Sequence, residues 1–306
     1  MKTLLTGAGG QVGWEIARRA AGHSVSLEGY PRNDLDITDI DSIHRVMGGI
    51  RPDLLINAAA YTKVDLAESE PDTAIRVNRT GPGFLAEWCA GAGIPMIHIS
   101  TDYVFDGRSK TPYSETDPLS PLGIYGRSKA EGEAEVRRKL SSHLIVRTSW
   151  VYGIHGSNFV KTMLKLGRER DRLRVVDDQF GCPTAAFDIA EAVLTLAERI
   201  NAGGEIPWGT YHYCGDGVTS WHRFALEIFQ VARRFGYPFS PEIEPIPSSD
   251  YPTPVTRPAY SALDTSRIAD AFQVYPRRWQ ESLAEVVEEI LAGSRRPEAR
   301  GRKSED

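Results

Sequence analysis

The chain has only three cysteines in 306 residues, Cys89, Cys182 and Cys214, widely spaced and without a CxxC pair. That excludes a disulfide framework and a cysteine zinc site, and it fits reduced thiols in a cytoplasmic protein. No apolar run approaches the roughly 20 residues that span a bilayer, and the opening MKTLLTGAGG lacks the long apolar stretch of a secretion signal. Internal repeats and low-complexity tracts are missing as well. An excess of basic charge is also lacking, with 36 basic against 41 acidic residues and a net charge of −5. Such a chain has no general attraction for nucleic acid or anionic lipid, so neither a nucleic acid nor a membrane is expected as a partner. What is present is an ordinary globular composition, 41% hydrophobic and 25% charged, at a length that suits one large domain or two intimate ones.

Short apolar runs alternate with helix-like stretches through the first half. Strands are expected at Lys2–Thr6, Ser24–Glu28, Asp53–Asn57, Pro95–Ser100 and His143–Thr148, with helices at Gln11–Ala21, Asp39–Gly48, 72–91 and 125–140. Strand–helix alternation requires crossover connections and therefore a parallel sheet, a doubly wound α/β fold of the Rossmann type. The pattern changes after Trp150. Helices are expected at Asn158–Arg170, Phe187–Ile200 and Ser220–Phe235, and a short strand at Arg174–Val176. Six prolines between Phe239 and Ala259 rule out a helix or a central strand and suggest an ordered loop framing a site. The expected organisation is a cofactor-binding domain at 1–150, with a later segment near 184–200 returning to it. A smaller α/β substrate-binding portion would follow at 151–293, and then a charged tail at 294–306 with the composition of a disordered segment.

The first strand runs into Thr6-Gly7-Ala8-Gly9-Gly10-Gln11-Val12-Gly13 and then a helix. Gly7, Gly10 and Gly13 leave room for a tight turn, for the approach of a pyrophosphate and for close helix–strand packing. Gln11 and Val12 open the helix whose N-terminus favours the phosphates. The expected cofactor is NADPH or NADH. Glu28, at the end of the second strand, suits a ribose hydroxyl, whereas Arg32 suits a 2′-phosphate, so the two cofactors stay open. Asp36 and Ile37 are candidates for the adenine edge. Ala58, Ala59 and Ala60 after the third strand would let the backbone lie against the cofactor.

Tyr125 is the only tyrosine with a lysine four positions on, Lys129. On a helix these two share a face, so the ammonium is expected to lower the phenol pKa and the phenol to protonate a substrate oxygen as hydride arrives. Ser100-Thr101-Asp102-Tyr103-Val104-Phe105 follows the fourth strand, where an open α/β sheet meets its ligand and where a hydroxyl can hold the reacting oxygen.

Taken together, TGAGGQVGWE, RPDLLINAAAYTKVDLAESEP, STDYVFDG, SPLGIYGRSKAEGE, RTSWVYG, NFVKTML, DDQFGCPT and YPTPVTRPAYSALD make the chain resemble the extended short-chain dehydrogenases/reductases, and within them the dTDP-4-dehydrorhamnose reductase family. The resemblance spans all but the tail. It implies Thr101, Tyr125 and Lys129 as the catalytic triad. It also implies reduction of the C4 ketone of dTDP-6-deoxy-L-lyxo-4-hexulose, a small-molecule dTDP-sugar, in the last step to dTDP-L-rhamnose. Trp150 would pack on the sugar, Asp102 and Tyr103 would line the same pocket, and Arg257 can pair with the diphosphate. Some members dimerise through Mg2+ held by glutamates. One such acid matches Glu15, but a second should follow Cys182-Pro183-Thr184, where Ala185-Ala186-Phe187 stands. No metal site is therefore expected, Glu15 reads as a first-turn helix acid, and monomer and homodimer both stay open.

Two other functions share these motifs. Dehydratases and epimerases of nucleotide sugars carry the glycine loop and the Tyr–Lys pair, but dehydratases usually place a second acid where Tyr103 stands. Some chains of this kind are NADP-binding regulatory subunits, for example of methionine adenosyltransferase.

Overall fold

The computed structural model describes residues 1–295. Its centre is a six-stranded parallel sheet. Strands β1 (Lys2–Thr6), β2 (Ser26–Tyr30), β3 (Leu54–Asn57), β4 (Met96–Thr101) and β5 (His143–Thr148) are joined by an edge strand, Gly209–His212. The order is Gly209–His212, β5, β4, β3, β1, β2. Every residue of β3 and β5 is buried, which is the pattern of strands covered on both faces. The order reverses at β1, which pairs with β2 on one side and β3 on the other. The crevice outside the C-terminal ends of β1 and β3 is where such sheets take their ligands.

Leu5, Ile56, Ile97 and Val146 face a core built with the helix Ala186–Ala202. That helix lies beside Gln11–Arg19, so a segment from late in the chain covers the first strands. Leu4, Leu55, Met96 and Ile145 face the opposite core. A separate apolar cluster is drawn from residues between Tyr152 and Leu291. In it the helices Phe159–Glu169, Trp221–Arg234 and Trp279–Arg295 pack around Phe224 and Phe229.

Several boundaries differ from the sequence expectation. β2 runs two residues further, to Tyr30, because its backbone pairs with β1 up to Thr6. The single helix expected at 72–91 is interrupted. Pro71–Ile75 leads into a π turn at Arg76–Thr80, and then Gly81–Ala92 follows. Pro82 has no N–H for the Asn78 carbonyl four residues back, and the wider turn accommodates its ring. The proline-rich stretch is not all loop. Glu242–Ile246 pairs in parallel with Arg172–Val176, an edge position where Pro245 forfeits nothing essential. The C-terminal helix reaches Arg295, into the segment expected to be a charged tail; the rest of that tail lies outside the described residues.

Helix Ile124–Lys139 packs on this π turn at very close range. A methyl group added at Gly132 would sit 2.0 Å from the Asn78 carbonyl oxygen. Gly132→Ala must push the helix off the turn, and a stability loss of about 1–3 kcal/mol is expected in chemical denaturation. An unchanged midpoint would show that the contact is soft.

Candidate active site

The glycine loop is shaped by its neighbours. Gly7 has φ +72°, and a side chain there would meet the Ala58–Ala59 backbone at about 2.5 Å. A side chain at Gly13 would stand 2.1 Å from the Gly7 carbonyl oxygen. The turn is closed by Gly10 N–H donating to Gly7 O at 3.0 Å. Helix Gln11–Arg19 begins with Gly10 as its N-cap, has no side-chain cap and carries no acid in its first turn. Its first amides are therefore free of protein side-chain acceptors and anions, which fits a diphosphate. Asn57 arranges the adjoining alanines: its Oδ1 accepts from Thr6 Oγ1 at 2.6 Å and from Ala59 N–H at 3.1 Å. Asn78 does the same further on, accepting from Tyr61 N–H and donating to the Tyr61 carbonyl and the Ser128 hydroxyl. The later chain also reaches this loop. Asn158 donates to the Gln11 side chain, and His155 bonds to the Gly9 carbonyl while stacking on Trp14.

The adenosine-side candidates are less concentrated. Glu28 lies inside β2 rather than at its end, is exposed, and accepts from the Tyr30 hydroxyl at 3.1 Å. Because β2 ends at Tyr30, that residue and not Glu28 stands at the rim. Arg32 is 71% exposed and lies 3.7 Å from Asp36. Asp36 turns back to accept from the backbone and hydroxyl of Thr38, and these bonds with Arg32 hold its carboxyl below the usual range despite the opposing effect of partial burial. Ile37 is buried and packs on Gly81. Val12 and Ala58 lean on the sheet core, and Ala60 is half-buried beside them.

Thr101 is the last residue of β4, and Tyr125 is the second residue of helix Ile124–Lys139. Glu68, from far upstream, accepts from Ile124 N–H at 2.7 Å and so supplies the cap this helix lacks locally. Burial raises the Tyr125 phenol above its ordinary value, the nearby Thr101 hydroxyl pulls it back in part, and Asp102 and Tyr103 add to the rise. The expected acidification by Lys129 is not what the geometry provides. The Lys129 ammonium donates to the Ile99 carbonyl at 2.6 Å and is spent on the strand rather than on the phenol. Burial lowers Lys129 to about 8, with Glu133 opposing. The result is a neutral phenol beside a hydroxyl, the form that can give up a proton.

The residues around this pair are also engaged. Tyr103 meets the Tyr125 ring edge-on at 5.5 Å between centroids, and its hydroxyl accepts from Arg257 at 3.3 Å. Arg257 donates to Asp65 at 2.8 Å, so its guanidinium ties the proline-rich segment to the segment after β3. Trp150 holds φ +46°, a conformation that costs about 1–3 kcal/mol for a bulky residue and that concentrates at functional sites. It is stacked on Trp221 at 3.5 Å, and Gly181 makes room for the indole. Asp65, Glu68, Asn57 and Asn78 were not singled out from sequence. Only the INAAAY and DLAESEP segments around three of them hinted at a role.

The Mg2+ donor set does not fit. Glu15 is the fifth residue of its helix, not a first-turn acid; it is buried and already bridged by Arg19 at 3.3 Å and Arg18 at 3.9 Å. Phe187, at the second position, is covered by the guanidinium groups of Arg19 and Arg277 at 4.7 and 5.6 Å. Among the described residues no group of three or more His, Cys, Asp or Glu side chains could hold a metal ion.

Asp102 is the most perturbed acid here. Burial raises its carboxyl to about 6 against the help of the Ser261 and Thr101 hydroxyls, and its Oδ2 has no hydrogen-bond partner. A raised carboxyl favours the protonated folded state. Its contribution to stability is complete below about pH 4 and is lost as pH rises through about 6. Asp102→Asn should gain on the parent by about 2–3 kcal/mol between pH 4 and pH 8 in denaturation titrations. Parallel curves would refute the shift.

The family model described as RmlD substrate binding domain matches residues 1–292. A dTDP-4-dehydrorhamnose reductase of Aggregatibacter actinomycetemcomitans is 42% identical over 288 residues, covering 93% of this chain and 98% of that protein. The crystal structure of a dTDP-4-dehydrorhamnose reductase from Clostridium acetobutylicum superposes with a TM-score of 0.89 at 38% identity, covering 95% of this chain and all of that one. The Bacillus anthracis dTDP-4-dehydrorhamnose reductase, solved in complex with NADP, gives 0.87 at 35% identity, covering 94% and 99%. With the family match over residues 1–292 and these relatives, the chain belongs to the dTDP-4-dehydrorhamnose reductase family.

Proposed function

We propose that this chain reduces dTDP-4-dehydro-L-rhamnose (dTDP-6-deoxy-L-lyxo-4-hexulose) to dTDP-L-rhamnose with NADPH or NADH, the last step of dTDP-L-rhamnose formation. The observation that carries the reading is the neutral, half-buried Tyr125 phenol beside the Thr101 hydroxyl at the sheet rim, with the buried Lys129 one turn below. The glycine loop and the amides after Gly10 would hold the cofactor diphosphate; the nicotinamide, when bound, supplies hydride. Thr101 Oγ1 fixes the ketone oxygen, and the Tyr125 proton passes to the alkoxide that forms there. Lys129, whose ammonium donates to the Ile99 carbonyl, places a positive charge one turn below the phenolate, which takes a proton again before the next turnover. Trp150, Asp102 and Tyr103 line the sugar side, and Arg257 stands where a diphosphate oxygen can compete with Asp65 for its donors. A dehydratase would need an acid in place of Tyr103, whose hydroxyl is instead held by Arg257.

Residues 1–150 with the returning helix Ala186–Ala202 would form the cofactor side, and the rest of 151–293 the substrate side. Three buried free thiols support a cytoplasmic setting, and no described helix is long and apolar enough to cross a membrane. Without a fitting Mg2+ donor set, a dimer would rest on protein contacts alone, and a monomer needs none.

The test follows NADPH and NADH absorbance with the dTDP-4-dehydro sugar generated in situ by the upstream enzymes. Consumption in step with product supports reduction. Turnover of the sugar with no net loss of reduced cofactor would point to an epimerase, and no turnover to a binding subunit. Tyr125→Phe should cut kcat by about 10²–10⁴ while cofactor binding stays near the parent value. Near-parental turnover would remove Tyr125 from the chemistry. Arg32→Ala should raise KM for NADPH and leave KM for NADH unchanged if its guanidinium meets a 2′-phosphate.

A further inference from the structure

Tyr125, Lys129 and Glu133 follow one another at four-residue intervals on helix Ile124–Lys139 and therefore share a face. Glu133 has no solvent exposure. Its Oε1 accepts from Ser100 Oγ at 2.6 Å and from Arg147 Nε at 2.9 Å. Its Oε2 accepts from Arg147 Nη2 at 2.7 Å and from Arg137 at 3.0 Å. Arg147 belongs to β5, is itself buried, and rests over the Phe105 ring. Ser100 is the residue immediately before Thr101. One carboxylate thus joins the helix that carries Tyr125 and Lys129 to the strand that ends in Thr101.

We propose that Glu133 is a positioning residue for the reduction: it sets the register of the Tyr125–Lys129 helix on β4 and β5, and it is the anion that keeps the buried Lys129 ammonium charged. The inference rests on the functional reading above and extends it to a residue that touches neither substrate nor cofactor. Lys129 donates to a neutral acceptor, the Ile99 carbonyl, so its charge is not balanced by that bond. Burial disfavours that charge, and Glu133 is the carboxylate that opposes this effect of burial. Tyr125 and Arg137 lie on its own helix, His98 and Asp102 come from β4 and the turn after it, His143 and Arg147 from β5, and His212 from the edge strand with Glu115 on its backbone N–H. Burial holds His98, His143 and His212 below their ordinary range, His212 at about 3, so none of them supplies charge near neutrality. Asp102 titrates at about 6 and Tyr125 above its ordinary value. Between pH 7 and pH 9 the group on this face that changes charge is Lys129.

An anion favours the ammonium, so removing it should move the Lys129 titration to lower pH. The experiment measures kcat and KM of the full chain from pH 6 to pH 10 with NADPH and the dTDP-4-dehydro sugar, for the parent, Glu133→Asp, Glu133→Gln and the double variant Glu133→Gln/Arg147→Met. The double variant removes the buried ion pair whole and avoids stranding Arg147, and replacing such pairs with apolar groups is often tolerated. The expected result is an alkaline limb displaced towards acid by about one unit in Glu133→Gln and in the double variant. At pH 8 kcat should fall about fivefold with KM little changed, and Glu133→Asp should recover part of the shift. Folded variants whose limb stays at the parent position would overturn the proposal. Collapse of both Gln-bearing variants, read by thermal melting, would assign Glu133 to folding alone and overturn it as well. A parent that oxidises no reduced cofactor would instead bring down the functional reading, and this inference with it.

Discussion

A carboxylate and a guanidinium, Glu133 and Arg147, meet in a bidentate pair between a helix and two strands, both buried from solvent. Taking two such ions out of water costs several kcal/mol each. The cost is offset only where the geometry is good and the remaining valences are filled. Here Ser100 and Arg137 fill them, and Phe105 lies against the guanidinium. Removing one partner from such a pair typically costs about 3–5 kcal/mol, because the other charge is left buried and alone. The position of helix Ile124–Lys139 over β4 and β5 is therefore narrowly defined, and with it the places of Tyr125, Lys129 and Thr101.

The same low-dielectric setting decides the protonation states. Sequence spacing pairs Tyr125 with Lys129 and suggests an acidified phenol. In the fold, the dominant influence on Tyr125 is loss of water, which favours the uncharged form, and the ammonium is turned to a strand carbonyl. A reductase needs its tyrosine as a proton donor, so a neutral phenol is the useful resting form. The Asp102 carboxyl follows the same rule: held next to Thr101 and short of one hydrogen bond, it is driven towards its neutral form.

The site is closed by segments distant in sequence. Glu68 caps the helix that begins at Ile124, Arg257 ties Tyr103 to Asp65, and His155 and Asn158 reach the glycine loop. Trp150 accepts a left-handed backbone to enter its stack with Trp221. His155, Asn158, Trp221 and Arg257 come from late in the chain, so the surroundings of the glycine loop and of Tyr103 are completed by residues after β5.

Local chemistry was readable from the chain alone. Strand–glycine loop–helix at the start, buried apolar runs of four to six residues, and a tyrosine and lysine four apart are all short-range patterns. They determine the parallel sheet, the cofactor cradle and the shared face of the Tyr125–Lys129 pair, because period and sterics act within a few residues. Tertiary structure alone decided the direction of the Lys129 ammonium, the edge strand Gly209–His212 and the pairing of Glu242–Ile246. It also decided that Glu15 and Phe187 sit among arginines. Those features depend on which groups lose water and which distant partner replaces it, and desolvation and long-range pairing leave no mark in the spacing of residues along the chain.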